Sequence, residues 1–360
     1  MSKLRNVILV ILMLALVRPA LADDATPAAT AAAGSGTLIS LSSSKDLGKF
    51  LVGKDGLTLY TFTPDPLNNS VCYDKCAFAW PPLLVDSADK ITVADGIPGK
   101  FSAITRKDGK LQVAYNGMAL YYWFKDVKAG DTTGQRVDRA WWVVPPATVY
   151  GQNTSKLGTI LVGSTGMTVY TFSKDTANTS TCYDACAQNW PPVTVKSADD
   201  FIPGLNLLGK FDTTKRTDGT LQVTYNGMPL YYFKKDAAVG DTNGEGVGSS
   251  WYSVVPETVG VSTNKDLGDL LITADGMTLY TSASACTDNC TKNWKAYTIG
   301  MNDRLKAAAS VTGKLDTVKL DSGGLQVTYN GAPLFVSTKD KNPGDANGAK
   351  VDAAWTLVKP

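Results

Sequence analysis

The chain has 360 residues, with 35 Lys+Arg against 33 Asp+Glu and no histidine. Balanced charge without a basic run leaves no electrostatic footprint for holding nucleic acid. The missing histidine removes the Ser-His-Asp and Cys-His nucleophile systems, the commonest general acid/base, the usual zinc and copper ligand, and the Cys-x-x-Cys-His haem attachment.

In chain order, Lys3 and Arg5 precede an unbroken apolar run from Val7 to Val17, then Ala20-Leu21-Ala22 and Asp23-Asp24. A run this short is well below the ~20 residues that span a bilayer and suits a secretory signal peptide over 1–22, cleaved near Ala22. The competing reading is an uncleaved anchor. The first cysteine is Cys72, so none stands at the cleavage point for acylation. Cleavage would leave 32 basic against 33 acidic side chains and no segment apolar enough to cross a membrane. The expected localisation is export to the periplasm or beyond. Residues 23–37, "DDATPAATAAAGSGT", are small and of low complexity and read as a flexible leader.

The rest repeats. Tyr60, Tyr170 and Tyr280 are spaced by 110 residues each. Steps of 110 and then 104 carry Cys72 to Cys182 to Cys286, Trp80 to Trp190 to Trp294, Asn116 to Asn226 to Asn330, and Trp141 to Trp251 to Trp355. One six-residue deletion between Tyr280 and Cys286 accounts for the difference. The spacing predicts three tandem domains over 38–148, 149–258 and 259–360, each long enough to bury a core.

Each copy opens with a hairpin pattern: "LGKFLVGKDGLTLYTF" has an apolar run, a Lys-Asp-Gly turn and an alternating strand. Later come "LQVAYNGMALYYWF" (111–124), "LQVTYNGMPLYYF" (221–233) and "LQVTYNGAPLFV" from Leu325. Asn-Gly between β-rich runs is the strongest short hairpin signal, because both central residues of a type I′ turn need positive φ. A closing strand follows in "AWWVVPP", "SWYSVVPE" and "AWTLVKP". Helical periodicity is scarce, so the predicted fold is all-β, built from hairpins, with short helical turns at the Cys-x3-Cys segments. The two hairpins of one copy also resemble each other through Tyr-x4-Asp: Tyr60/Asp65 and Tyr121/Asp126, then Tyr170/Asp175 and Tyr231/Asp236. In the third copy Ala285 replaces the first Asp, and Phe335 replaces the second Tyr ahead of Asp340.

Paired Tyr-x4-Asp motifs, Cys-x3-Cys before Trp-Pro-Pro, and "GDTNGEGVGSSWYSVVP" (240–256) resemble the bacterial secreted repeat with a Y-x4-D motif, also called the predicted lipoprotein repeat family. The resemblance covers nearly all of 45–360 in three copies, the third degenerate. It implies an exported bacterial protein of small repeat domains and carries no reaction with it. Lack of a cysteine at the cleavage site departs from the lipoprotein label and speaks against a lipid tether.

Three constellations carry chemistry. The six cysteines fall as Cys72 and Cys76, Cys182 and Cys186, and Cys286 and Cys290. An even count in an exported chain favours local disulfides, one in each copy. Residues i and i+4 of a regular helix hold their Cβ atoms ~5–6 Å apart, too far for that bond, so one cysteine of each pair must lie off the helix. Thiol–disulfide exchange and metal thiolate are the alternatives. The spacing is one longer than Cys-x-x-Cys, and Lys75, an activating cation in copy one, becomes Ala185 and Asn289. Asp126 and Asp131, Asp236 and Asp241, and Asp340 and Asp345 lie in Gly-rich loops and offer a candidate cation site. Two acids are few for calcium, which leaves turn capping as the favoured reading. The aromatic strands, such as Tyr121-Tyr122-Trp123-Phe124, read mainly as core, with an outward half left to meet sugars, peptides or a partner. Together these favour a non-enzymatic envelope or secreted scaffold with an unidentified protein or envelope ligand and no resident cofactor. An extracytoplasmic redox, electron-transfer or metal-binding component is the second reading. A two-carboxylate carbohydrate-active enzyme is the third.

Overall fold

A computed structural model describes residues 36–282, 292–350 and 354–360. The expected signal segment, 1–22, and most of the expected leader, 23–37, lie outside the described residues. Within the first 110-residue block the elements are β1 (Ser40–Ser44), β2 (Gly48–Val52), β3 (Tyr60–Phe62), α1 (Lys75–Ala79), β4 (Leu84–Val85), β5 (Phe101–Thr105), β6 (Leu111–Tyr115), β7 (Met118–Ala119) and β8 (Trp141–Val143). The protein is mostly β, in small antiparallel sheets.

The Asn-Gly turn forms as expected. Asn116 has φ 51° and Gly117 φ 80°, and β6 pairs with β7 across them. The Lys-Asp-Gly hairpin is more limited than its sequence implies. Only one bridge, Val52 to Thr58, closes it. β2 spends its length on β1 instead, from Ser40↔Val52 to Ser44↔Gly48. β3 leaves to pair with β8, joining Tyr60 to Val143 and Phe62 to Trp141. The reason is that a strand has two edges, and the long-range partner takes the one that the local turn leaves open.

The two halves of the block meet at Tyr60 and Tyr121. Tyr60 N–H donates to the Tyr121 carbonyl at 2.8 Å, and Tyr121 N–H donates back to Tyr60 at 2.9 Å. Neighbouring bonds obey the same exchange: Leu59 N–H to Leu51, Leu120 N–H to Val113, Val144 N–H to Leu59 and Leu83 N–H to Leu120. This pattern is a local pseudo-twofold. Because side chains alternate along a strand, consecutive residues enter two different cores. Leu51, Leu59, Val113, Leu120 and Val144 share an aliphatic cluster. Phe50, Val52, Tyr60, Tyr121, Trp80 and Trp141 share an aromatic one. Each central strand is therefore buried on both faces, where the alternation of Leu57 and Leu59 predicts a half-buried one: Thr58 and Tyr60 are as buried as Leu59.

α1 follows Cys72 and contains Cys76, and a disulfide joins the two with Cα atoms 5.2 Å apart. Cys182 and Cys186 repeat the arrangement at α2 (Ala185–Asn189). In both pairs the first cysteine lies off the helix, as the geometry requires. The third expected disulfide, between Cys286 and Cys290, lies outside the described residues, and the disulfides among the described residues are those of the first two blocks.

The third block differs where Lys295-Ala296 replace Pro-Pro. Strand Trp294–Ala296 pairs with Phe335–Ser337 over three residues. At the same place the first two blocks have single bridges, Pro82 to Tyr121 and Pro192 to Tyr231. Proline lacks the ladder donor, so its loss lets a strand grow.

The blocks also touch one another. Asn116 Nδ2 donates to the Ser164 carbonyl at 2.8 Å, and Gln152 Nε2 donates to the Asn116 carbonyl at 3.0 Å. Asp303 accepts from Thr159 N–H at 2.6 Å, and Arg304 donates to Ser253 Oγ at 2.8 Å. The first block reaches the third through Arg139 Nε to Asp275 Oδ2 at 2.9 Å. Every pair of blocks thus shares a polar contact.

Candidate functional site

The Tyr-x4-Asp residues converge, but not within their own motif. Tyr60 donates to Asp126 Oδ2 at 2.6 Å, and Tyr121 donates to Asp65 Oδ2 at 2.5 Å. Tyr170 donates to Asp236 at 2.7 Å and Tyr231 to Asp175 at 2.6 Å. Each half-block supplies the tyrosine for the other half's carboxylate. Tyr280 and Asp340 keep the bond at 2.7 Å in the third block. The reciprocal bond would join Phe335 and Ala285, so that pair has lost both partners at once.

The remaining carboxylate oxygen is occupied as well. Asp126 Oδ1 accepts from Thr133 N–H and Oγ1 at 2.9 and 2.7 Å. Asp175 Oδ1 accepts from Thr181 N–H and Oγ1 at 2.7 and 2.8 Å. Burial, and next the facing aspartate, push the hydroxyls of Tyr60, Tyr170, Tyr231 and Tyr280 far above their ordinary value. The same two causes raise Tyr121. Burial raises Asp65, Asp236 and Asp340, while the tyrosine bonds pull the other way. The chemistry available here is a tyrosine that stays protonated and donates.

Residues the sequence reading missed extend this network. Tyr121 Oη lies 2.7 Å from Ser70 Oγ. Buried Arg106 reaches Ser70 at 3.0 Å, Gln112 at 2.5 Å and the Cys72 carbonyl at 2.8 Å. Arg216 makes the same three contacts with Ser180, Gln222 and Cys182, each at 2.8 Å. The arginine thus ties the start of each disulfide loop to the Tyr–Asp network. The aligned residue of the third block is Leu320, which is buried. The signal was present in the chain: Asp, Tyr and Arg change together to Ala285, Phe335 and Leu320. Cys286 and Cys290 persist in the sequence without that arginine, and no geometry is assigned to them.

Around the network stand paired tryptophans. Trp80 stacks on Trp141 at 3.8 Å and 4° between planes, and Trp190 on Trp251 at 3.9 Å and 1°. Trp294 and Trp355 stack at 3.9 Å. The second acids of the Gly-rich loops sit elsewhere. Asp131 accepts from Val127 and Lys128 N–H, Asp241 from Ala237 and Ala238, and Asp345 from Lys341 and Asn342. Asp126 turns inward while Asp131 caps its own loop, and the pairs at 236/241 and 340/345 do likewise. The candidate cation loop is thus split into two separate tasks.

Two open depressions recur at one place in the fold. One, about 500 Å³, is lined by Ile91, Val93, Ile97 and Phe101. The other, about 470 Å³, is lined by Leu305, Ala307 and Leu315. In the second block Phe201 and Phe211 stand 5.3 Å apart at the aligned position.

A family model described as a secreted repeat of unknown function matches residues 42–84, 102–145, 152–194, 212–255 and 316–359. No curated protein and no solved structure matches the chain. The five matches refine the count of three copies, because the family's unit is half a block. The unmatched half is the one that carries Ala285 and the six-residue deletion.

Proposed function

From a chain that belongs to this family of secreted repeats, we propose an exported, non-catalytic scaffold of the cell envelope. In this reading residues 1–22 are removed near Ala22, and 38–148, 149–258 and 259–360 are three domains working outside the cytoplasm, in the periplasm or beyond. The observation that carries it is the internal use of the conspicuous functional groups among the described residues. The tyrosine hydroxyls and Asp126, Asp175, Asp236 and Asp340 bond to each other. The loop aspartates cap backbone N–H groups, and Cys72, Cys76, Cys182 and Cys186 are in disulfides. Cys286 and Cys290, spaced alike, form the third staple in this reading. Groups so engaged set shape and rigidity. What such a scaffold offers a partner is its surface.

Cell fractionation with N-terminal sequencing and thiol titration of the folded protein tests this. The expected result is a mature chain beginning at Asp23, outside the cytoplasm, with all six sulfurs unreactive. An unprocessed cytoplasmic chain would overturn the export. Two reactive thiols mapping to Cys286 and Cys290 would remove the third staple. A pair that reduces and reoxidises readily would put the redox reading in its place.

A further inference from the structure

The first block carries a surface that its sister blocks lack. Phe78 is 80% exposed, Val127 82% and Phe124 48%. Phe78 lies on α1, and Phe124 N–H donates to the carbonyl of the adjacent Ala79 at 3.0 Å, which sets the two phenylalanine segments side by side. Val127 follows three residues on. Lysines surround them. Lys75 is one helical turn before Phe78, on the same face of α1. Lys125 Nζ sits 5.5 Å from the Phe124 ring centre. Lys107 Nζ lies 3.9 Å over the ring of Tyr73, whose carbonyl accepts the first N–H of the turn, from Cys76. Lys128 ends the group. Against these four cations stand exposed Asp74 and Asp108, the second of them 3.6 Å from Arg106, and part-exposed Asp131, while exposed Lys54 and Asp55, next to the Gly130 N–H to Gly56 carbonyl contact, offset each other. Asp126 is buried against Tyr60, and Asp131 holds the N–H groups of Val127 and Lys128.

The second block shares the fold, and the third shares its other strands among the described residues, so both can be compared position by position. Gln188, Lys234 and Ala237 stand where the second block would carry the apolar residues, and Lys292, Thr338 and Lys341 in the third. Lys75, Lys107 and Lys128 become Ala185, Thr217 and Ala238. The shared architecture therefore does not require the patch.

We propose that Phe78, Phe124 and Val127, ringed by Lys75, Lys107, Lys125 and Lys128, dock the first block onto the anionic face of a lipid bilayer. The charge ring selects an anionic surface. The shape favours a bilayer over a protein: the apolar residues protrude, two of them by four-fifths of their area. Three side chains are far fewer than the ~20–30 residues a side of a standard protein interface. Projecting aromatics backed by lysines enter the headgroup boundary, and their affinity follows buried apolar area plus attraction to anionic lipid. The proposal rests on the exported-scaffold reading only in that a membrane surface must lie within reach.

The test is co-sedimentation of the full exported chain with vesicles of phosphatidylcholine alone or mixed with phosphatidylglycerol. Binding is expected on the mixed vesicles, weakened at least tenfold in 0.5 M salt. Phe78→Ser with Phe124→Ser should weaken it at least tenfold, with circular dichroism unchanged. Lys75→Ala with Lys128→Ala, which leaves the rings in place, should weaken it and flatten the salt dependence. Failure to bind, equal binding to both vesicles, or undiminished binding of the phenylalanine variant overturns the proposal. So does a protein partner retained through Phe78 in the absence of vesicle binding. None of these outcomes alters the thiol or N-terminal results, so the scaffold reading stands or falls separately.

Discussion

Cutting the crossed Tyr–Asp bond in the second block should reveal a cooperative unit. Tyr231→Phe leaves Oδ2 of buried Asp175 without its donor at 2.6 Å. A hydrogen bond to a charged group contributes about 1.5–3 kcal/mol, so a loss near 2 is expected. Asp175→Ala removes the acceptor of Tyr231 and of both Thr181 donors. It also leaves the Arg216–Ser180–Tyr231 chain without its carboxylate end. That loss should reach about 3 kcal/mol. The double variant removes the shared bond once, so it should lose about 3 and not the sum of about 5, a coupling near 2 kcal/mol. Urea unfolding followed by tryptophan fluorescence measures all three, since Trp190 and Trp251 lie in the same cluster. Single losses that add to within about 0.5 kcal/mol would refute the coupled network. The third block is a natural version of the double variant, with Phe335 and Ala285 in place of the pair.

Alkaline unfolding should be steep. The five signature tyrosines have folded values raised above 10.0, so the native state holds protons that the unfolded chain loses. Their contribution is whole below pH 10 and is lost above it, by up to about 1.4 kcal/mol per tyrosine per pH unit, and phenolate absorbance should rise together with loss of structure. Acid should act first between blocks. Burial raises Asp275, but Arg139 outweighs it and holds the carboxyl below its usual 3.8, so its contribution is present above 3.8 and is lost as pH falls through its folded value. Asp65, Asp236 and Asp340 are raised, so protonation favours the fold and they do not drive acid unfolding. Small-angle scattering should therefore show the blocks loosening before circular dichroism reports unfolding. Replacing Cys182 and Cys186 together by serine should lower stability by less than the ~3 kcal/mol of a fifteen-residue closure, as urea midpoints would show.

Local signals read well from the sequence because their physics is local. Positive φ at Asn116-Gly117 and the off-helix position of Cys72 follow from neighbouring residues alone. The Lys-Asp-Gly hairpin was only partly legible, since β1 and β8 compete for its strands from outside the window. The crossed Tyr60–Asp126 bond spans 66 residues and has no local mark. Arg106 carries no local mark of its three buried contacts, which reach residues 6 to 36 positions away. Its replacement by Leu320 was the available clue, visible only by aligning the chain with itself.

The first block holds a strained loop at 136–139 where the second block has mostly glycine and serine. Arg136, Asp138 and Arg139 have φ of 67°, 52° and 57°, while the aligned residues of the second block are Gly246, Gly248 and Ser249. Side chains other than glycine are disfavoured there. Glycine would relieve that strain in the first block as it does in the second. What the first block gains instead is a pair of arginines on the third block's turn. Arg139 bonds the Asp275 carboxylate, and Arg136 bonds its carbonyl. Replacing Arg136 and Asp138 by glycine should keep the loop and lose one interblock bond. Adding Arg139→Ala should remove the clamp. If the strain exists to hold the clamp, the two-glycine variant raises the stability of the first block while the third block separates more readily. A variant in which both rise together would show that the arginines are retained for some other reason.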